Sequence, residues 1–227
     1  GYRHDLCSAI HPLAAASPFL RELPLGDHGL KWVEPPAACA HPLDDGPAVL
    51  LETSIAETAG QLPGHDATAY TRLMTPTVRD WPKLERDLLG PLPLAPSSPV
   101  ALGRFGLMAL RSARGLAEGR FRGEAGRALL AGLVAHTVLP LETLSTAAIT
   151  MVLGLLAHRV GWPFPRGGAQ RITDALASHL VELGGRIETG RPIASLDELP
   201  RARAVLLDVR PGALASIAGR RLPSGYL

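Results

Sequence analysis

Glycines standing just before a helix are the most chemically suggestive residues in the chain. In Trp162-Pro163-Phe164-Pro165-Arg166-Gly167-Gly168, the Gly167-Gly168 pair lets the backbone take left-handed conformations and lets a ligand approach without meeting a Cβ. The helix that follows offers unpaired amides and a partial positive charge to an anion. A purely structural turn has the same residues, so the segment alone leaves both readings open. His4, Asp5 and His11 lie close in sequence, but matching ligands elsewhere are lacking and chance produces such a trio. His136, His158 and His179 fall in apolar helical stretches and read as hydrogen-bonded core histidines. Asp80, Trp81, Glu85 and Asp87 read as a solvated helix face around one buried aromatic. Cys7 and Cys39 lie far apart without a CxxC or Cys/His spacing, so no metal site and no disulfide framework is expected. A reducing, cytoplasmic setting fits them.

Absent motifs remove large enzyme classes. The chain contains no GxSxG, no HExxH, no GxxxxGK[ST] and no GxGxxG, so serine-hydrolase, zincin and P-loop chemistry have nothing to rest on. Arginine supplies every basic residue except Lys31 and Lys83, the net charge is only +2, and the cations are scattered; nucleic acid is not an expected partner. With 46% hydrophobic and 19% charged residues, 227 residues are ordinary globular material able to bury a core. The opening shows no basic stretch followed by an apolar one, so no signal peptide is readable there.

The elements that must position these groups can be placed from periodicity and punctuation. Leu30 to Glu34 is strand-compatible, and Ala37 to Leu51 reads as a hairpin turning at Asp44-Asp45-Gly46. Ser54-Ile55-Ala56-Glu57 has a capping-box pattern that starts a short helix. Asp66 is placed to cap a second helix towards Leu89, carrying Tyr70, Leu73, Met74, Val78, Trp81, Leu84 and Leu88 on one face. Pro76 and Pro82 should kink or break it. Pro91 to Pro99 serves as a connector, and Val100 to Val160 reads almost wholly as helix. The charge-free runs Ala128 to Leu141 and Thr143 to Ala157 fall short of the roughly 20 residues that span a bilayer. They read as buried core helices, with peripheral membrane contact as the alternative. After Gly161 the pattern changes: a helix with Ile172, Leu176, Leu180 and Leu183 on one face stops at Gly184-Gly185. Strands are expected at Arg186 to Thr189 and Ala204 to Val209, then a last helix begins at Pro211.

The string from Phe164 to Leu196 resembles a phrase of the phytoene-desaturase and amine-oxidase type of FAD-dependent oxidoreductases: a proline, a Gly-Gly pair, an amphipathic helix, a second Gly-Gly, a strand, and then a valine that touches adenine. Ile193 occupies the place of that valine, with Pro192 an unusual neighbour. Ala204 to Pro211 is similar to the family's next strand, matching at Asp208 and Pro211. Gly1-Tyr2-Arg3-His4-Asp5-Leu6-Cys7-Ser8 resembles the segment that runs beneath the isoalloxazine ring, with Cys7 where glycine is usual. The middle, including His41-Pro42-Leu43-Asp44-Asp45-Gly46, is similar to the substrate domain of bacterial phytoene-dehydrogenase-like proteins. The resemblance covers nearly the whole chain but is specific only at its two ends.

The resemblance implies an α/β fold: an incomplete Rossmann-like FAD-binding layer from residues 1–10 and 161–227, and a mainly helical substrate domain with a small antiparallel sheet over 11–160. It implies FAD as cofactor, with Leu6, Cys7 and Ser8 facing the ring, Gly167 and Gly168 packed against the cofactor, and Ile193 touching adenine. A hydrophobic or amine-bearing small molecule is the implied substrate, held in a tunnel between the helices of Ser54 to Val160. The family's glycine fingerprint and its closing flavin motif are absent, so the chain is expected to be an internal fragment whose partners include those segments, inactive alone and cytoplasmic or membrane-peripheral. No catalytic acid or base is assigned. A noncatalytic helical module binding a lipid or a partner protein is the rival expectation.

Overall fold

The computed structural model describes residues 4–91 and 95–225, the Arg220 side chain excepted. The chain divides into two compact units, Gly1–Glu182 and Leu183–Leu227. In the first, helices α1 (Pro12–Ala16) and α2 (Pro18–Glu22) each begin on a proline, whose fixed φ suits a first turn. They are followed by β1 (Trp32–Val33), β2 (Ala37–His41), β3 (Val49–Glu52), and helices α3 (Ile55–Gly60), α4 (Gly64–Leu89), α5 (Pro99–Ala109), α6 (Ala113–Arg120), α7 (Glu124–Val134) and α8 (Ala147–Val160). Strand β4 (Phe164–Pro165) and helix α9 (Gln170–Glu182) complete it, and the second unit holds α10 (Pro211–Ala218).

The hairpin forms where the turn signal puts it: β2 and β3 pair antiparallel, His41 opposite Val49, with an irregularity between Ala37 and Cys39. The second sheet joins distant segments, since β1 pairs antiparallel with β4, Trp32 opposite Pro165. Ser54 caps α3 by accepting from the Glu57 amide at 3.3 Å. The first unit's core lies between α4, α7 and α8: Tyr70, Met74, Trp81, Leu84, Leu129, Leu130, Leu133, Met151, Leu155 and Leu156 are all buried there. Each such side chain contributes about 1.5–3 kcal/mol by leaving water. At Gly154 a Cβ would stand 2.7 Å from Met74 Cε, so glycine lets α8 lie close against α4.

Several expectations are corrected. Helix α4 runs unbroken through Pro76 and Pro82. Pro82 is exposed and Pro76 half-buried, while the buried stripe from Tyr70 through Leu73, Met74, Thr77 and Trp81 to Leu84 continues past both; tertiary packing outweighs the two lost backbone hydrogen bonds. Asp66 does not cap α4, whose N-cap is Pro63. Its carboxylate, almost fully buried, instead accepts from the amides of Arg122 (2.9 Å) and Gly123 (2.7 Å) at the start of α7. Asp80 is not solvated either: it is buried and takes Arg104 at 2.6 Å, tying α4 to α5.

The fold is mainly helical with two small antiparallel sheets, and no Rossmann sheet forms among the described residues. Arg186 to Thr189 and Ala204 to Val209, expected as strands, carry no strand pairing. A strand is stable only with a neighbour for its N–H and C=O groups, and here Ile187 and Leu206 stay exposed, the latter 91%. The apolar runs form α7 and α8 as buried helices, but Val138, Leu139 and Leu144 between them are exposed. No helix among the described residues is long and apolar enough to cross a membrane.

Asp66 yields a prediction with a defined sign. Burial raises its pKa, but the Arg122 amide, His65 and the Gly123 amide outweigh that and hold it below the ordinary carboxylate value. A depressed folded pKa gives stability that is present above the unfolded value and lost as pH falls through the folded one. Asp66→Ala should cost about 2 kcal/mol near neutral pH. Urea melts should show the wild-type advantage over this variant shrinking below about pH 4. Parallel pH profiles for the two proteins would contradict the assignment.

Candidate functional site

The double-glycine turn is clamped from both sides. Gly161, at φ +70°, ends α8, and the backbone then runs extended past the N-terminal segment, where the His11 amide donates to the Pro163 carbonyl at 2.9 Å. The Arg166 amide donates to the Lys31 carbonyl at 2.8 Å, extending the β1–β4 pairing to the edge of the turn. The Gly168 amide closes the turn on the Pro165 carbonyl at 3.0 Å. Gly167 and Gly168 sit at φ +95° and +96°, where any L side chain is strained.

Asp5 brings the other expected segment to this turn. Its Oδ2 accepts from the Ala169 amide at 2.9 Å, a contact spanning 164 residues of sequence, and a Cβ on Gly168 would lie 3.4 Å from Oδ1. Asp5 is therefore joined to the turn that Gly167-Gly168 opens. Leu6 is 99% exposed, and Cys7 and Ser8 are exposed beside it. The amide expected to be free for an external anion is instead taken by the chain's own carboxylate. What remains is the exposed stretch Leu6 to Ser8 after Asp5, and a glycine turn with the Asp5 and Arg171 side chains beside it.

Ile193 belongs to the second unit, where it lines an apolar cavity of about 510 Å³ together with Leu199, Ala204, Leu206 and Ile217, and with Asp208 at its wall. In the first unit the apolar faces of α4, α7 and α8 bury one another. A shallower apolar recess of about 240 Å³ lies over Ala113, Ala117, Ala131 and Leu141. Arg114 stands at its edge, bridging Glu118 and Glu142 at 2.8 and 2.9 Å. Leu107, Leu110 and Leu144 are exposed nearby along the chain, and the Ser145 amide donates to the Leu110 carbonyl at 3.2 Å.

The histidines divide into three environments. His158 is the expected core histidine: Nδ1 donates to the Thr53 carbonyl at 3.0 Å and Nε2 accepts from the Tyr70 hydroxyl at 2.7 Å. Burial holds its pKa below the ordinary value despite that carbonyl, so the ring is neutral and structural. His136 is exposed rather than core, resting edge-on against Trp162 at 5.8 Å. His179 is not an isolated core residue: its ring lies 5.1 Å from that of His28, and both face Glu182. Sequence reasoning missed this group, although His179 and Glu182 sit one turn apart on α9; only the fold supplies His28.

No protein-family model, curated protein or solved structure matches this chain.

The Asp5 contact can be tested directly. Asp5→Ala frees the Ala169 amide and should loosen the opening segment, so thermolysin should cut at Leu6 several-fold faster than in wild type. Unchanged cleavage would mean that the contact does not hold the segment.

Proposed function

We propose that this chain contributes the ring-facing surface and the helical domain of an FAD-dependent oxidoreductase that oxidises a hydrophobic or amine-bearing small molecule. The observation that carries this reading is the Asp5–Ala169 hydrogen bond. It joins two segments, remote in sequence, that the family resemblance assigns to the cofactor, the first to the ring and the second to packing against the cofactor. The residues fit the ring end of the cofactor: Leu6 offers free apolar surface, and Gly167-Gly168 admits a planar group against the backbone. They offer its phosphate end less, since Asp5 already holds the Ala169 amide. Leu6, Cys7 and Ser8 would lie along the ring, and Gly167 and Gly168 would pack against the cofactor. A bound flavin would accept hydride from the substrate; the chain's own residues bind, orient and keep water away.

This fit makes riboflavin and FAD nearly equivalent ligands for the 227-residue chain. Both should bind weakly, within about tenfold of each other, with flavin fluorescence quenched on titration. Gly168→Val, which introduces a strained side chain facing Asp5, should weaken both. FAD binding thousands of times tighter than riboflavin would refute the ring-end assignment. Absence of any quenching at millimolar flavin, with folded protein, would sink the flavin reading.

A second reading is favoured by the filled core and by exposed Leu107, Leu110 and Leu144: a noncatalytic helical module that binds lipid or a partner protein through that surface. Flotation with lipid vesicles, abolished by Leu110→Asp together with Leu144→Asp and accompanied by no flavin quenching, would select it.

A further inference from the structure

From the arrangement of His28, His179 and Glu182 we infer a zinc site that clips the Pro24–Leu30 loop to the last turn of α9. Glu182 Oε2 stands 3.0 Å from His28 Nε2 and 3.7 Å from His179 Nδ1, and the three ligand atoms all lie within 4.8 Å of one another. Four donors around a zinc ion, bound at roughly 2.0–2.2 Å, stand about 3.3 Å apart. The group is therefore within about 1.5 Å of metal geometry, and Glu182, whose side chain is 67% exposed, is free to rotate and close it.

Two further features point to a ligand. His179 Nδ1 is buried and has no hydrogen-bond partner among the described residues, although a buried ring nitrogen normally finds one. A cation between the rings would supply that partner. His28 Nδ1 is bonded to the Ser178 hydroxyl at 2.8 Å. This fixes the ring and leaves Nε2 as the nitrogen that faces Glu182, which is how outer hydrogen bonds orient metal-binding histidines. Two imidazoles and one carboxylate suit zinc better than calcium or magnesium, which prefer oxygen-only shells. The described residues provide three ligands, so a fourth position stays open to water or a small anion.

The position explains what the ion would do. Apolar packing between loop and helix is slight here: Leu25, Leu30 and Ala175 are the buried residues, with Ile172 and Leu176 partly covered. Ala175 is the only fully buried described residue of α9. A metal clip would add a tie between segments about 150 residues apart. It is independent of the flavin reading and involves none of its residues.

Calorimetric titration of chelator-treated full chain with zinc alone should show one equivalent bound with micromolar affinity and a raised melting temperature. Cobalt(II) should give the intense visible bands of a tetrahedral site. His28→Ala and His179→Ala should each weaken zinc binding at least about 100-fold, Ser178→Ala about tenfold, and His4→Ala not at all. Glu182→Gln, at an exposed position that folding does not depend on, should lose the tetrahedral cobalt spectrum while keeping the wild-type circular dichroism. Zinc binding that survives His28→Ala and Glu182→Gln, or no binding by folded wild-type chain, overturns the proposal.

Discussion

The carboxylate of Asp66 is the point on which the helical unit hangs. It rises from the first turn of α4 and takes two amides at the start of α7, so the longest helix and one of the most buried helices are held by charge-assisted bonds shielded from water. The apolar faces of α4, α7 and α8 then meet in the same orientation along their length. Tyr70, one turn further on, reaches His158 of α8 and through it the Thr53 carbonyl. Asp80 repeats the device with Arg104 of α5. Single polar side chains on α4 thus tie it to α5, α7 and α8, and the hydrophobic stripe between them supplies most of the free energy.

This packed unit presents its chemistry at the edge. The apolar faces of α4, α7 and α8 bury one another, whereas the surface at Gly167-Gly168 is a left-handed backbone turn with the side chains of Asp5 and Arg171 beside it. Two hydrogen bonds, from His11 and Arg166, and the short β1–β4 ladder make that edge rigid. A glycine turn, held by strands, is a suitable wall for a planar cofactor ring. The phosphate half of such a cofactor needs unpaired amides, and Asp5 takes the Ala169 amide at this turn.

Local features were legible in the sequence because their causes are local. The Asp44-Asp45-Gly46 turn, the Ser54 cap and the glycine stop at Gly184-Gly185 each depend on a few adjacent residues, and the structure has all three. The continuity of α4 was not legible, since proline counts against a helix unless packing on the far side outweighs it. The partners of Asp66 and Asp80 are also decided by packing between helices. Arg186 to Thr189 and Ala204 to Val209 have strand composition, but a sheet needs a neighbouring strand, which composition cannot specify. The Asp5–Ala169 contact was half legible: both segments stood out, the first by resemblance and the second by its glycines, and the hydrogen bond between them needed the fold. The cluster of His28, His179 and Glu182 lacked any short spacing that would have brought His28 into view.

Cys7 gives a direct probe of whether a flavin ring lies on this edge. Its thiol is exposed at the proposed contact, while Cys39 is half-buried and its pKa is pushed up to about 11 by burial, making Cys39 a slow internal reference. The alkylation rate of each cysteine, followed by mass spectrometry with and without saturating riboflavin, reports on that surface alone. The account predicts rapid labelling of Cys7 that riboflavin slows several-fold, with Cys39 slow in both conditions. Labelling of Cys7 at the same rate with and without the flavin would contradict it.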